Sequence, residues 1–171
     1  SSIRSLSSLQ IAALTTEQAS VLTTLQIAAL TTSQVLALEA EDLGSLDTLQ
    51  IRALSSGQLQ GLSVEQVGAF SSVQWMSLTT QQTASLTTAQ IQALEPQEIS
   101  AFGLAQLSAL TTSQVAALSG SQLDALGTHQ IEALSAGGVG ALATDLLLMI
   151  SSTQMQALTS AQLAALSTSQ I

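Results

Sequence analysis

The segment that decides the fold is the octapeptide at residues 110–117, which reads Leu-Thr-Thr-Ser-Gln-Val-Ala-Ala. The same pattern runs along the whole chain without insertion or deletion. Every eighth residue from Leu6 to Leu166 is Leu, Ile or Phe, at all 21 positions. Every eighth residue from Gln10 onward is Gln at 17 of 21 positions. The four exceptions are Asp42, Glu98, Gly138 and Leu146. The consensus is therefore L-T-T-x-Q-I-x-A, a tandem repeat with a period of eight.

The octad predicts a short helix that is interrupted once in every repeat. Its apolar residues are spaced by three, which fits one helical face and not the alternation of a half-buried strand. A continuous helix does not fit, because eight residues turn it through about 800° and the apolar stripe would drift by about 80° per repeat. Thr followed by Gln three residues later is the capping-box pattern. We expect the Thr31 hydroxyl to accept from the Gln34 N–H, and the Gln34 side chain to bond the Thr31 N–H. Residues 111–118 and 159–166 show the same pattern.

Two further features agree with a helix start after each capping residue. Pro96 falls at the first helical position, where a missing N–H has no partner to lose. Acidic residues gather in the first turn, where the helix dipole favours them. These residues are Glu17, Glu41, Asp42, Glu65, Glu98 and Asp145.

The predicted fold is an all-α solenoid with one short capped helix per octad, and a β-solenoid is the alternative. Helices of about one and a half turns are not stable alone in water, so neighbouring coils must supply a shared apolar core. Leu25, Leu49 and Val73 are spaced by 24 and hint at three octads per coil, although Leu9 occupies the same octad position and breaks that spacing. No linker interrupts the pattern. We therefore expect residues 1–171 to form a single array of about 21 octads, excerpted from a longer chain.

Composition excludes several classes of function. The net charge is −9, and the two basic residues, Arg4 and Arg52, cannot neutralise a run of phosphates, so we expect no nucleic-acid partner. The longest apolar run covers residues 146–150, well short of the ~18 residues that a membrane helix needs. We therefore expect no membrane insertion. The chain has no Cys, which excludes a disulfide frame, a thiolate nucleophile and a Cys-zinc site.

Few residues could carry chemistry, and each has a structural explanation. His129 is the only His, lies at the variable octad position, and cannot form a metal site alone. Trp75 occupies an Ile site and is interpreted as a core residue or, if one face is open, a lateral contact. An acidic cluster lacks the spacing of a calcium loop, and its members fall at cap and first-turn positions. The cluster consists of Glu39, Glu41, Asp42 and Asp47. We predict no catalytic, cofactor-binding or metal-binding residues, no cofactor and no enzymatic activity.

The least regular stretch covers residues 135–150. It contains Gly137, Gly138 and Gly140, followed by the apolar run from Leu146 to Ile150. The stretch is either a drifted repeat or an apolar patch that meets a partner. Solenoids need polar caps for solubility. This chain stops mid-repeat, so we expect both ends to expose core apolar side chains. We therefore expect homo-association through exposed array ends or through the patch near Leu146–Ile150.

The octads at residues 86–93 and 110–117 resemble tandem octapeptide repeats of very large secreted or surface proteins of Gram-negative bacteria, including adhesin-like ones. The resemblance covers the whole chain. It implies export from a bacterium and a role as a stalk or spacer, and it brings no catalytic residues with it. The expected function is a non-enzymatic, rod-like structural repeat module of an exported surface protein. The alternatives are a binding module, whose ordered Thr and Ser rows take a glycan or ice, and a self-association module.

Overall fold

Each octad forms one short helix in the computed structural model, which describes residues 3–170. Within that range the regular elements are one 3-10 helix, Ile3–Ser5, and twenty α-helices of four to six residues, with no strand. The all-α prediction is confirmed, and the β-solenoid alternative is wrong. The helices belong to two compact units, Ser1–Leu86 (unit 1) and Thr87–Ile171 (unit 2), which are described separately. The single array over residues 1–171 remains a prediction.

The twenty helices follow one another at intervals of one octad. In unit 1 they are α1 Ser8–Ala12, α2 Thr16–Ser20, α3 Thr24–Ala29, α4 Thr32–Leu36, α5 Ala40–Ser45, α6 Thr48–Ala53, α7 Ser56–Gly61, α8 Val64–Gly68, α9 Ser72–Ser77 and α10 Thr80–Ser85. In unit 2 they are α11 Thr88–Ala93, α12 Pro96–Ser100, α13 Leu104–Ala109, α14 Thr112–Ala116, α15 Gly120–Asp124, α16 Thr128–Ala133, α17 Ala136–Gly140, α18 Thr144–Leu147, α19 Ser152–Gln156 and α20 Ser160–Ala165.

The predicted capping boxes are present. The Thr31 N–H donates to Gln34 Oε1 over 2.8 Å, and the Gln34 N–H donates to Thr31 Oγ1 over 3.2 Å. The segments at 111–118 and 159–166 form the same reciprocal pair of bonds. Pro96 is the first residue of α12, as its position in the octad predicted. The local start signal in the sequence therefore sets the helix starts.

The residue at the Leu site takes an extended conformation where the helix reaches that site. Leu46 ends α5 with φ −66° and ψ 142°, and Asp47, the N-cap of α6, follows with φ −76° and ψ 171°. Two extended residues thus redirect the chain between helices without any positive φ. None of the described glycines has a positive φ either. Glycine is consequently not needed for the turns, and its role must lie in packing.

Helices three apart in sequence pack against each other, so three octads complete one coil. In unit 1 the stacks are α1–α4–α7–α10, α2–α5–α8 and α3–α6–α9. In unit 2 they are α11–α14–α17–α20, α12–α15 and α13–α16–α19. Leu25, Leu49 and Val73 lie on α3, α6 and α9 of one stack, whereas Leu9 lies on α1 of another. The spacing of three octads was therefore the correct signal, and Leu9 does not contradict it.

The core runs through the middle of the coils. Side chains at the Ile site, such as Val35 and Ile51, are fully buried, and those at the Leu site, such as Leu38, are nearly so. Trp75 is also fully buried, with its ring centroid 5.1 Å from that of Phe70, which confirms its interpretation as a core residue. None of the described helices is long and apolar enough to cross a membrane.

The irregular stretch at 135–150 keeps the repeat architecture. It contains α17, whose N-cap Ser135 accepts from the Gly138 N–H over 3.1 Å, and α18, which has only four residues. Gly138 occupies the Gln site and is buried against α14, where an added Cβ would lie 2.8 Å from Val115 Cβ. The glycine therefore permits a close approach between α17 and α14.

Gly138→Ala should destabilise the protein by about 1–3 kcal/mol, because the new methyl group overpacks a β-branched neighbour that cannot swing away. Gly57→Ala is the matched control. Nothing lies within 4 Å of the Cβ position at Gly57, so alanine should be neutral or stabilise α7 by up to about 1 kcal/mol. Urea unfolding followed by circular dichroism measures both. Equal free energies of unfolding for the two variants would contradict the close approach.

Candidate functional site

Most of the glutamines at the third helical position are held by hydrogen bonds at both ends of the side-chain amide. Gln74 shows the arrangement. Its Oε1 accepts from the Ser71 N–H over 2.7 Å within the capping box. Its Nε2 donates to the carbonyl oxygens of Leu43 over 2.9 Å and Leu46 over 2.8 Å, both in the coil before. One carboxamide thus starts α9 and ties it to the preceding coil at the end of α5, beside the start of α6.

This bond to the preceding coil recurs in both units, and together these contacts form the glutamine ladder. In each case Nε2 donates to the carbonyl of the residue 28 positions earlier, over 2.6 to 3.0 Å. The glutamines concerned are Gln34, Gln50, Gln58, Gln66, Gln74 and Gln82 in unit 1, and Gln122, Gln130, Gln154, Gln162 and Gln170 in unit 2. The ladder therefore supplies a polar connection between coils beside the apolar core.

Burial of the glutamines follows from these contacts. Gln74 exposes only 3% of its surface, and most glutamines of the ladder are similarly buried. Gln10, Gln18 and Gln26 make the same capping bonds but are exposed. The ladder acceptor of each of these three would fall before the first residue of the sequence. Stacking on an earlier coil is thus what buries the carboxamide.

The chemistry of the ladder explains why Gln, and not Glu, dominates this position. Either side chain can accept a hydrogen bond in a capping box. Only the amide can also donate, and a carbonyl oxygen can only accept. A carboxylate there would place a negative charge beside two carbonyl oxygens in a buried setting, which is costly. The sequence interpretation recognised the capping bond but missed the bond to the preceding coil.

Asp42 is an exception within the ladder. It is buried, and its carboxylate accepts from the Glu39 N–H over 3.4 Å. It has no amide to donate to the carbonyls of Ile11 and Leu14, which hold the corresponding places in the preceding coil. Coil contact at this place therefore lacks the donor that neighbouring helices supply.

The acidic cluster lies where the sequence predicted, at helix starts. Glu39 is the N-cap of α5, Glu41 and Asp42 are in its first turn, and Asp47 caps α6 by accepting from the Gln50 N–H over 2.8 Å. Glu39, Glu41 and Glu65 line an open cleft of about 540 Å³ between α5 and α8. Across residues 3–170 no three His, Cys, Asp or Glu side chains converge closely enough to hold a metal ion. Asp42 and Asp47 thus make capping hydrogen bonds, whereas the Glu39 side chain makes none at its N-cap position.

His129, at the variable octad position, lies exposed on α16. Its side chain is 82% exposed, and its Nδ1 lies 3.1 Å from Glu132 Oε2. The contact joins residues i and i+3 of one helix, and among the described residues no further ligand-type side chain joins them to complete a metal site. The pair lies on a solvent-exposed face of α16.

Residues 1–32 and 35–72 match the family model described as the ALTTAQ repeat. Both matched segments lie in unit 1, where Ala29 to Gln34 read Ala-Leu-Thr-Thr-Ser-Gln in the register of the octad. This part of the chain is therefore similar to a known tandem repeat. No curated protein matches the chain.

Gln74→Glu should destabilise unit 1 by about 2–4 kcal/mol, because it keeps the capping acceptor, removes the donor and buries a charge beside the Leu43 and Leu46 carbonyls. Gln26→Glu is the control, since its exposed side chain stacks on no earlier coil, and we expect a change within about 0.5 kcal/mol. Thermal and urea unfolding at neutral pH measure both variants. A Gln74→Glu variant as stable as Gln26→Glu would show that the ladder contributes nothing.

Asp42→Gln should stabilise unit 1 by about 1 kcal/mol, because it supplies the missing donor to the Ile11 and Leu14 carbonyls. Asp42→Asn separates this effect from removal of the charge, as its shorter amide does not extend as far toward those carbonyls. We expect Gln to be the more stable of the two substitutions in urea unfolding. An Asn variant equal to or better than Gln would count against the donor argument.

Proposed function

We propose that the chain is a non-enzymatic structural repeat module, a rod-like spacer or scaffold segment of an exported bacterial surface protein. The glutamine ladder is the observation that carries this proposal. Wherever the glutamine is present and stacked, the ladder joins a helix start to the coil before it through the same contact, so coils can be added without a new kind of contact. Stability in such arrays is a sum of repeat and nearest-neighbour terms.

The side-chain chemistry agrees with a structural role. The buried polar groups of the ladder are carboxamides that already make hydrogen bonds. A carboxamide is a poor nucleophile, acid or base. Most of the described acidic residues lie at helix starts, and Asp124 and Glu132 lie at the ends of α15 and α16. The repeat-type fold and the match to a repeat family support a module whose function is shape and length.

Two deletions test the spacer proposal. Deleting residues 39–62 removes three whole octads, one full coil, and keeps the octad register. We expect the shortened protein to fold with unchanged helicity per residue. Deleting residues 39–58 removes two and a half octads and shifts the register by half an octad, so it should lose cooperative unfolding. If both deletions unfold the chain, the coils are not the interchangeable units that a spacer requires.

Export is tested in a bacterium that encodes the chain. Antibodies raised against the purified protein should label intact cells or culture medium, and protease added outside should remove the cell-associated label. A label that appears only after lysis would overturn the exported location and leave the structural role standing.

A second candidate function is binding through ordered hydroxyl rows. Ser8, Thr32, Ser56 and Thr80 each begin a helix of the α1–α4–α7–α10 stack, so their side chains recur once per coil on one face of unit 1. In unit 2 the α13–α16–α19 stack begins with Leu104, so a row there is interrupted. A glycan array and a thermal-hysteresis measurement would detect a carbohydrate or ice ligand, and Thr32→Val should weaken either activity. No response in both measurements would remove this candidate.

Homo-association is a third candidate, through the array ends or the patch at 146–150. Leu148 and Met149 expose 83% and 57% of their surface, whereas Leu147 is buried. Met155 and Leu163, at Ile sites of α19 and α20, are partly exposed and line a cleft of about 300 Å³. Each of these surfaces offers apolar area to a second copy.

A further inference from the structure

One lateral face of unit 1 carries an apolar strip that the repeat consensus does not require. The strip follows the α3–α6–α9 stack, and we call it the α6 face. Its members occupy the second helical position and the residue three further on, which share one side of a helix. The apolar members are Leu25 and Ala28 on α3, Leu49 on α6, and Val73 and Met76 on α9, and the remaining position on α6 holds Arg52. Leu25, Leu49 and Val73 expose 81%, 65% and 63% of their surface.

The other two faces of unit 1 differ at the same positions. The α2–α5–α8 stack presents Glu17, Glu41 and Glu65 above small residues. The stack that begins with α1 presents Leu9 followed by Ser33, Gly57 and Gln81. Only the α6 face therefore has large apolar side chains at this position in three successive coils. A contiguous exposed apolar patch marks an interaction site more often than scattered apolar residues do.

The charges at the two ends of α6 favour a second copy of the chain as the partner of the α6 face. The chain has a net charge of −9, so most of its surface repels another copy. On α6, however, Asp47 lies at the N-cap and Arg52 lies in the last turn, both exposed. One carboxylate oxygen of Asp47 accepts the capping bond from Gln50, which leaves the second oxygen for another donor. A helix with an anion at its start and a cation at its end complements itself when it is reversed.

We propose that the α6 face binds a second copy of the chain in a two-fold symmetric dimer. A two-fold axis beside Leu49, midway between Asp47 and Arg52 along the helix, sets α6 antiparallel to α6 of the other copy. Each Asp47 then lies over the other Arg52, giving two equivalent ion pairs. The same axis places Leu25 opposite Val73 and Leu49 opposite Leu49, so apolar groups meet apolar groups. Such an interface is isologous and closes at two copies.

The interface is small. The α6 face contains fewer residues than the ~20–30 that each partner contributes to a standard protein interface. We therefore expect a weak, reversible dimer that is seen only at high protein concentration. Like-charge repulsion from the remaining carboxylates is reduced at physiological ionic strength, where the Debye length is about 8 Å.

Sedimentation velocity over a concentration series of the full chain tests the proposal. Leu49→Glu and Arg52→Glu should each raise the dimer dissociation constant at least about tenfold, since one buries a charge at the centre and the other opposes Asp47. Leu9→Glu, at the equivalent exposed position of α1, and Leu148→Glu, in the patch at 146–150, should leave it unchanged. Circular dichroism confirms that each variant is folded.

Cysteine cross-linking tests the two-fold geometry directly, because the chain has no Cys of its own. On oxidation Leu49→Cys should form a covalent dimer with itself, whereas Leu9→Cys should not. Leu25→Cys mixed with Val73→Cys should cross-link, and Leu25→Cys alone should cross-link less. A disulfide requires Cα atoms within about 7 Å, so the pattern reports the alignment.

Several results would overturn the dimer. One is a monomer throughout the concentration series. Another is association lost in Leu148→Glu but kept in Leu49→Glu and Arg52→Glu, which would assign it to the patch at 146–150. A third is cross-linking of Leu49→Cys no greater than that of Leu9→Cys. None of these results bears on the structural role proposed above, which depends on the ladder and not on the α6 face.

Discussion

A buried carboxamide must satisfy both of its ends, and this requirement organises the protein. At the Gln site the oxygen is fixed by the N–H of the helix start, so the amide nitrogen must find an acceptor elsewhere. It finds two carbonyl oxygens at the end of a helix in the preceding coil: that of the Leu-site residue, and that of the Ile-site residue, which also accepts from the Leu-site N–H. A backbone N–H at the start of one helix and carbonyl oxygens at the end of another are thus bonded by a single side chain. Such short helices are stable because of these hydrogen bonds and the apolar core beside them.

Local structure could be predicted from one octad, but coil closure could not. Thr31 and Gln34 contain the whole capping bond, and Pro96 marks the helix start, so both were readable from neighbouring residues. The bond from Gln74 to Leu46 joins residues of successive coils and has no local signature. One signal was nevertheless present. A capping box accepts Glu as well as Gln, and the near absence of Glu indicates that an N–H donor is needed.

Two different periods govern the inside and the outside of the coils. Inside each unit the octads follow one rule, because the Ile and Leu sites of all three stacks face that unit's core. Outside, residues align only with those three octads away, so each stack has its own surface. Leu9 illustrates the distinction, since it shares an octad position with Leu25 but belongs to another face. The absence of His, Cys, Asp and Glu from the consensus is visible in one octad, whereas the character of each face required the coil length.

The difference between these periods has a consequence for how such an array can change over generations. Gain or loss of a single octad, as expected from unequal recombination between near-identical repeats, preserves every capping box and leaves each glutamine an equivalent acceptor in the coil before it. It also shifts all later residues by one stack, a third of a turn around the coil. The interior therefore tolerates such events, while the set of residues that share each outer face changes. Leu49, for instance, would cease to align with Leu25 if one repeat were inserted between them.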